Sequence, residues 1–220
     1  MPRSSGWRDG PGGAGRRLVT GSVDAKRAFD IAVSGSLIVL LSPVLAAVGA
    51  LIKRDDPHSP ILFTQERVGM GGIPFRIHKF RTMRPGSFGP QVTSGGDPRV
   101  TRIGAVLRKT KLDELPQLWD VLRGHMSLVG PRPEVPSYVA LWPAETREVI
   151  LSVRPGITDP ASVRWRNESE ELAMAADPEA HYIEVLLPQK AAMYAHYVGT
   201  RSFRGDLVVL ARTVAAVGRG

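Results

Sequence analysis

The stretch Leu112–Pro133, LDELPQLWDVLRGHMSLVGPRP, governs how the rest of the chain is read. Leu115, Leu118, Trp119 and Leu122 fall at i, i+3, i+4 and i+7, which predicts a helix with one apolar face. Pro116 is tolerated near a helix start, where backbone N–H groups lack intrahelical partners anyway. Asp113 and Glu114 then sit at or just before the first turn, at the positive end of the helix dipole. Gly130 and a stiff Pro131-Arg132-Pro133 turn close the stretch.

Two readings of the acidic pair stand side by side. Acidic residues are favoured at helix starts for structural reasons alone, so Asp113-Glu114 can be a cap. The surroundings point elsewhere: Arg99, Arg102, Arg108, Lys109 and Lys111 precede the pair, and Arg123 and Arg132 follow it. Two carboxylates set among guanidinium and ammonium groups suit a metal ion and a phosphate held together.

Working outward, 220 residues make one domain with room for appendages and a real core. The chain has no cysteine, which excludes a disulfide framework, a thiolate metal site and a cysteine nucleophile. A net charge of +8 and a pI near 10.3 call for an anionic partner: nucleic acid, anionic lipid or a phosphorylated substrate. Few aromatics and no stacking motif argue against nucleic acid. The five histidines lack metal-ligand spacing, which argues against zinc.

Residues 1–23, rich in Gly, Ser and Arg, read as a disordered basic arm. Residues 24–54 read as a membrane helix, since Phe29–Ile52 carries only Asp30 as a charge and would reach about 36 Å. Lys26 and Arg27 flank one end, Lys53 and Arg54 the other, so charge bias selects no crossing direction. Ser42-Pro43 sits mid-way, where proline removes a backbone bond and kinks a helix. Both features fit a helix that enters, bends at Ser42 and Pro43, and returns to the same face beside anionic lipid. Asp30 is costly in a bilayer and calls for a basic partner.

Residues 55–220 read as the remaining domain. Ile61–Arg67 and Pro74–Thr82 alternate as strands around the turn Gly69–Gly72, with Lys79 and Arg81 on one face. Residues 84–98 form a Pro/Gly/Ser loop able to cover a site. Short helices are predicted over Ser137–Trp142, Ala144–Val153, Glu168–Ala175 and Pro178–Val198. Arg154–Thr158 is predicted as a turn. Leu207–Val217 is an apolar helix beside Arg204, Arg212 and Arg219, suited to a membrane interface.

These motifs, in this order, resemble the bacterial sugar transferase family, the monotopic phosphoglycosyl transferases. The likeness runs from about Lys26 to the C-terminus. LDELPQLWDVLRGHMSLVGPRPE is the most specific of its motifs, joined by Lys26-Arg27-Ala28-Phe29-Asp30, FTQERVGMGGIPFRIHKFRTM and Asp97–Gly104 with Leu107-Arg108. The resemblance implies an α+β protein. Its parts would be a re-entrant N-terminal helix and a mainly helical cytoplasmic domain with a β-hairpin and interfacial helices, on the cytoplasmic face of the bacterial inner membrane. It implies transfer of a sugar phosphate from a UDP-sugar to polyprenyl phosphate, with release of UMP. Asp113 matches the family's nucleophile and Glu114 its Mg²⁺ ligand. Arg81, Arg108, Arg132 and Lys79 are expected at substrate phosphates. Asp206 matches an acidic position of unassigned role. The family usually follows the Arg154–Thr158 turn with glycine, whereas this chain has Asp159-Pro160. Membrane lipids are expected partners, nucleic acid is not, and a homo-oligomer stays open, as does the identity of the sugar. The rival reading is a basic, membrane-tethered module that binds nucleic acid or anionic lipid without catalysis, which accounts for the charge and the apolar run but not for the acidic pair or the stiff Pro-Arg-Pro turn. Release of UMP from a UDP-sugar separates the two.

Overall fold

The computed structural model describes residues 20–87, 89 and 91–218. The expected basic arm therefore lies outside the described residues up to position 19. Residues 20–23, assigned to that arm, are already helical.

Helix α1, Thr20–Asp55, is continuous through Pro43. Proline lacks the N–H that would bond Val39, and the Ser42 hydroxyl takes up that orphaned carbonyl at 2.8 Å. Over Ala25–Asp55 the helix reaches a mean hydropathy of 2.3 in an 18-residue window, only 11% of which is buried in the protein. A soluble core helix of such composition would be mostly covered. Instead Val39 and Leu40 are 75% and 73% exposed.

The two halves of α1 nevertheless pack on the same body. Phe29, Val33, Leu37 and Ile38 join a cluster with Leu118, Leu128, Val129, Tyr197 and Val209. Leu45, Val48 and Ile52 join another with Ile61, Phe80, Ile103, Leu107 and Leu112. Polar ties fix the first half. Asp30, 2% exposed, accepts from Ser127 Oγ at 2.7 Å and lies 3.8 Å from Lys26. Lys26 in turn pairs with Asp206 at 2.7 Å, and the Tyr197 hydroxyl donates to Asp206 at 2.6 Å. The basic partner called for by Asp30 is thus its own neighbour one helical turn away, and Asp206 holds that lysine from the far end of the chain.

Strands β1 (Leu62–Val68) and β2 (Pro74–Phe80) form the expected antiparallel hairpin, Leu62 facing Phe80 and Val68 facing Pro74. Helix α2, Arg102–Lys109, is capped by Thr101, whose hydroxyl accepts from Gly104 N. Gly104 is required because a Cβ there would stand 2.0 Å from the Thr82 carbonyl. After a 3₁₀ turn at Leu112–Glu114 comes α3, Gln117–Leu122, clamped to the hairpin through Asp120, which bonds both the backbone N–H and Nδ1 of His78.

Strand β3, Ser127–Val129, pairs in parallel with β4, Gly156–Thr158. The sequence predicts only a turn at the latter. Gly130 and Gly156 let the two segments cross closely, since a Cβ on Gly156 would meet Gly130 N at 2.1 Å. Between them lie α4, Pro136–Val139, and α5, Ala144–Leu151. Then follow α6 (Pro160–Arg164), α7 (Glu168–Met174), α8 (Pro178–His181), a π-helical turn at Tyr182–Leu186, α9 (Leu187–Thr200) and α10 (Phe203–Gly218). The largest core, with Tyr138, Trp142, Leu172, Leu186 and Tyr194, joins α4, α5, α7 and α9. The result is the mixed helix-and-strand domain expected, with one long apolar helix at its start.

Candidate active site

Asp113 and Glu114 cap no helix. Helix α3 begins at Gln117 with Pro116 before it, and the two carboxylates belong to the separate 3₁₀ turn. Lys111 precedes that turn at φ 59, a left-handed conformation uncommon outside glycine. This corner lets the chain leave α2 and drive Asp113 inward, where it is 7% exposed. The predicted apolar face of α3 holds for Leu118, which is buried. It fails for Trp119, which is 52% exposed with Arg123 stacked on its ring at 5.8 Å. With the helix starting at Gln117, it is Val121 and Asp120 that turn inward beside Leu118.

Glu114 faces cations. Its Oε1 accepts from Lys79 Nζ on β2 at 2.7 Å and from Arg132 Nη2 of the Pro-Arg-Pro turn. Oε2 receives only a long 3.4 Å contact from Arg132 Nη1. Burial opposes ionisation of Glu114, but the Arg132 and Lys79 charges outweigh it and hold its carboxyl well below the usual range. Asp113 shifts the other way. Burial and the Glu114 charge raise its pKa, against partial relief from Lys79, Arg108 and Lys111. Asp113 Oδ1 is buried with no hydrogen-bond partner among the described residues. Unpaired buried carboxylate oxygens are costly and mark functional positions.

Arg108 donates through Nε to Thr82 Oγ1 at 2.9 Å and lines the same cleft as the carboxylates. Lys79, Arg108 and Arg132 are therefore brought together around the pair. Arg81 lines the same cleft but is already engaged elsewhere. It lies just past the end of β2, where Nε bonds the Pro60 carbonyl and Nη1 bonds Asp56 at 3.0 Å. That geometry ties the hairpin to the end of α1, so Arg81 shares the cleft with Lys79 while its guanidinium is held by Asp56 and the Pro60 carbonyl. Ser42 and Pro43 belong to the exposed middle of α1.

The cleft is large, about 1760 Å³. Four of its lining side chains were not singled out from sequence. Arg67 on β1 bonds the Pro133 carbonyl and Glu134, Tyr182 donates to Glu134 at 2.8 Å, and Lys190 pairs with Glu168 while lying 4.9 Å over the Tyr182 ring. Arg67 stands in the FTQERVGMGGIPFRIHKFRTM motif and Glu134 directly follows Pro-Arg-Pro, so both carried a signal. Tyr182 and Lys190 carried none, because the π turn that aligns them is not legible locally.

The profile of the family described as bacterial sugar transferase matches residues 21–220. The chain belongs to that family. It is 39% identical over 196 residues to the UDP-glucose:undecaprenyl-phosphate glucose-1-phosphate transferase of Caulobacter vibrioides, covering 87% of this chain and 69% of that protein. It is 38% identical over 202 residues to the exopolysaccharide production protein PSS of Rhizobium leguminosarum bv. phaseoli, 87% of this chain and 94% of that one. A third relative is the UDP-N-acetylgalactosamine-undecaprenyl-phosphate N-acetylgalactosaminephosphotransferase of Aeromonas hydrophila. There the identity is 41% over 165 residues, 72% of this chain but 39% of the relative. The sugars named differ between these relatives, so kinship selects none.

As a sugar transferase, the chain departs from the family habit at Asp159, and the structure gives the reason. Asp159 caps α6, accepting from the backbone N–H of Ala161 at 2.6 Å and of Ser162 at 2.9 Å, with Pro160 in the first turn. Asp159 is thus a buried N-cap. The donor set also bears on Mg²⁺. No group of three or more His, Cys, Asp or Glu able to hold a metal occurs among the described residues. Mg²⁺ commonly takes one or two carboxylates and completes its shell with water and substrate phosphate. Glu114 Oε2, lightly engaged, and the unpartnered Asp113 Oδ1 fit that pattern.

Proposed function

We propose that this sugar transferase moves a sugar 1-phosphate from a UDP-sugar to polyprenyl phosphate, the reaction type its relatives' names describe. One observation carries the proposal: a buried, unpartnered Asp113 carboxylate beside a glutamate gripped by two cations, at the wall of a wide cleft. In the first step an Asp113 oxygen bonds the phosphorus next to the sugar. The phosphorus–oxygen bond to the nucleotide breaks, and UMP leaves with the bridging oxygen and its electron pair. In the second, an oxygen of polyprenyl phosphate bonds the same phosphorus and the Asp113 carboxylate departs, leaving polyprenyl diphosphate sugar. An ionised phosphate needs no general base, which favours a nucleophile role for Asp113 over a proton-abstracting one.

The remaining residues bind and orient. Arg108 and Arg132 offer guanidinium donors to phosphate oxygens, and Lys79 adds a third positive charge. Burial keeps water from Asp113 and leaves its carboxylate poorly solvated, hence reactive. Glu114, with Oε2 to spare, would hold Mg²⁺, which supplies neutralisation of phosphate charge when bound.

The proposed location rests on α1. A helix crossing the bilayer would carry one of its two packed halves, and the domain residues attached to it, into hydrocarbon. The packing of both halves on one body and the exposed middle, where Pro43 removes one backbone bond, support a re-entrant helix that keeps the domain on one side of the bilayer, taken here as the cytoplasmic face of the inner membrane because the UDP-sugar donor is on that side. The deciding experiment is intact-protein mass spectrometry after incubation with a panel of UDP-sugars and Mg²⁺, without acceptor. A sugar-phosphate adduct on Asp113 with release of UMP is expected. An adduct on another residue, or transfer with intersecting-line kinetics and no adduct, would overturn the covalent step.

A further inference from the structure

The cleft has two chemically unlike ends. One holds the carboxylates with Lys79, Arg108 and Arg132. The other is walled by Leu115 just before α3, Leu118 on α3, Ile157 and Thr158 on β4, and Thr213 and Ala216 on α10. The two hydroxyls on this second wall are satisfied internally. Thr158 Oγ1 and Thr213 Oγ1 bond each other at 2.7 Å, and Thr213 also donates to the Val209 carbonyl. What remains facing a ligand there is hydrocarbon. The outer side of α10 exposes Leu207, Val208 and Val214 at 40%, 48% and 73%, with Arg204 and Arg212 among them, the mixture of a membrane-interface helix.

A nucleotide sugar has no use for such a wall, being polar from base to sugar. An amphiphile with a phosphate at one end and an alkene chain at the other matches both ends at once. We infer that the seam between α10 and the start of α3, over Ile157, binds the first isoprene units of the acceptor. The acceptor's phosphate would lie at the Lys79–Arg108–Arg132 cluster, and its chain would leave along α10 into the membrane. This rests on the transferase reading and deepens it, giving the lipid acceptor a path distinct from α1. The two substrates then take separate routes: the chain enters from the lipid side, while the nucleotide sugar reaches the cluster from the open cleft.

The test has two arms. In the first, a polyprenyl phosphate carrying a diazirine in its first isoprene units is photolysed with the full chain in detergent, and labelled peptides are mapped. Label on Leu115–Leu118 or Thr213–Ala216 is expected; label confined to the Val39–Val44 segment of α1 overturns the assignment. Labelling needs no turnover, so the groove is tested even if UMP release, the readout of the transferase reading, fails. In the second arm, Ala216→Trp fills the seam. The expected result is a rise of about tenfold or more in KM for a long-chain acceptor, the scale set by one misfitted apolar contact. A smaller rise is expected for a one-isoprene phosphate, while Ala215→Trp, on the outer side of α10, leaves the ratio of the two acceptors alone. An equal effect of Ala216→Trp on both acceptors, or none on either, overturns the groove.

Discussion

Glu114→Gln separates what the glutamate does for the fold from what it does for chemistry. The side chains of Lys79, Glu114 and Arg132 are 18%, 14% and 30% exposed, so water screens their attraction only in part. Glutamine keeps an acceptor oxygen but turns two charge-assisted bonds into ordinary ones. Each exchange costs about 1–1.5 kcal/mol, or about 2–3 kcal/mol together. For a chain of this size that lowers Tm by about 4–12 °C. The sign with pH is fixed by the depressed carboxyl. Its stabilisation is fully present above the ordinary glutamate value and is lost as pH falls through the lower folded value, so the gap between wild type and variant should close only in strong acid. Chemistry responds in two opposed ways. Removing the Glu114 charge eases ionisation of Asp113, because that charge is one of the two causes of its raised pKa. The acid limb of kcat/KM should move to lower pH. Turnover at neutral pH should nonetheless fall by about a hundredfold or more if Glu114 carries Mg²⁺. Scanning calorimetry at several pH values, with UMP release measured in parallel, reads all three. A variant that melts early yet turns over within twofold of wild type would make Glu114 a structural counterion. An unchanged Tm would refute the energetic role of the cluster.

Asp113→Asn should abolish the adduct and turnover yet raise Tm by a few degrees. A buried carboxyl with a raised pKa contributes stability only below its ordinary value and loses it as pH rises, so at neutral pH the amide is the better core residue; calorimetry beside intact mass checks both halves. Asp206→Ala removes the partner of Lys26 and Tyr197 and should cost about 3 kcal/mol, with Lys26→Met adding less than its own separate effect; a double-mutant cycle of denaturant midpoints measures the coupling. Replacing Ser42-Pro43 by Ala-Leu restores the backbone bond to the Val39 carbonyl and should favour a crossing helix over a re-entrant one. Thr20→Cys, in a chain with no other cysteine, should then become reactive to an impermeant periplasmic reagent; labelling at that position in the otherwise unaltered chain would sink the re-entrant arrangement.

What could be read from the sequence depended on how locally each feature is determined. The hairpin was legible because Phe75, Ile77 and their polar neighbours alternate over seven residues, and its register follows from a short Gly-rich turn. The need of Asp30 for a cation was legible because burying a charge is costly whatever the fold. Strands of three residues left no such trace, so the β3–β4 pairing was missed and a turn predicted instead. Trp119 satisfied the helical period and still faces outward, since period says nothing about where a helix starts, and this one starts after the proline. Asp206 could not be assigned because its partners lie nine and about 180 residues away, at Tyr197 and Lys26. The Asp159 cap was in plain view: Asp-Pro with a serine three residues on is a helix-start signature.

The candidate site turns on a difference between sequence neighbours. Asp113 and Glu114 are alike in chemistry and adjacent in the chain, so a flexible loop would leave them to share one environment and one pair of titrations. The 3₁₀ turn prevents this by setting successive side chains about 120° apart around its axis. The left-handed Lys111 before it fixes which residue points inward. One carboxylate is thereby buried without a partner and held against ionisation; the other is handed to two cations and held in favour of it. The second also reinforces the state of the first, since a charged Glu114 is part of what raises Asp113. Such a split is of little use to a binding module, which would be better served by two paired acids or none. It is what a two-step phosphate transfer asks for: one group that stays charged and holds, and one that is costly to leave alone and bonds when a phosphorus arrives.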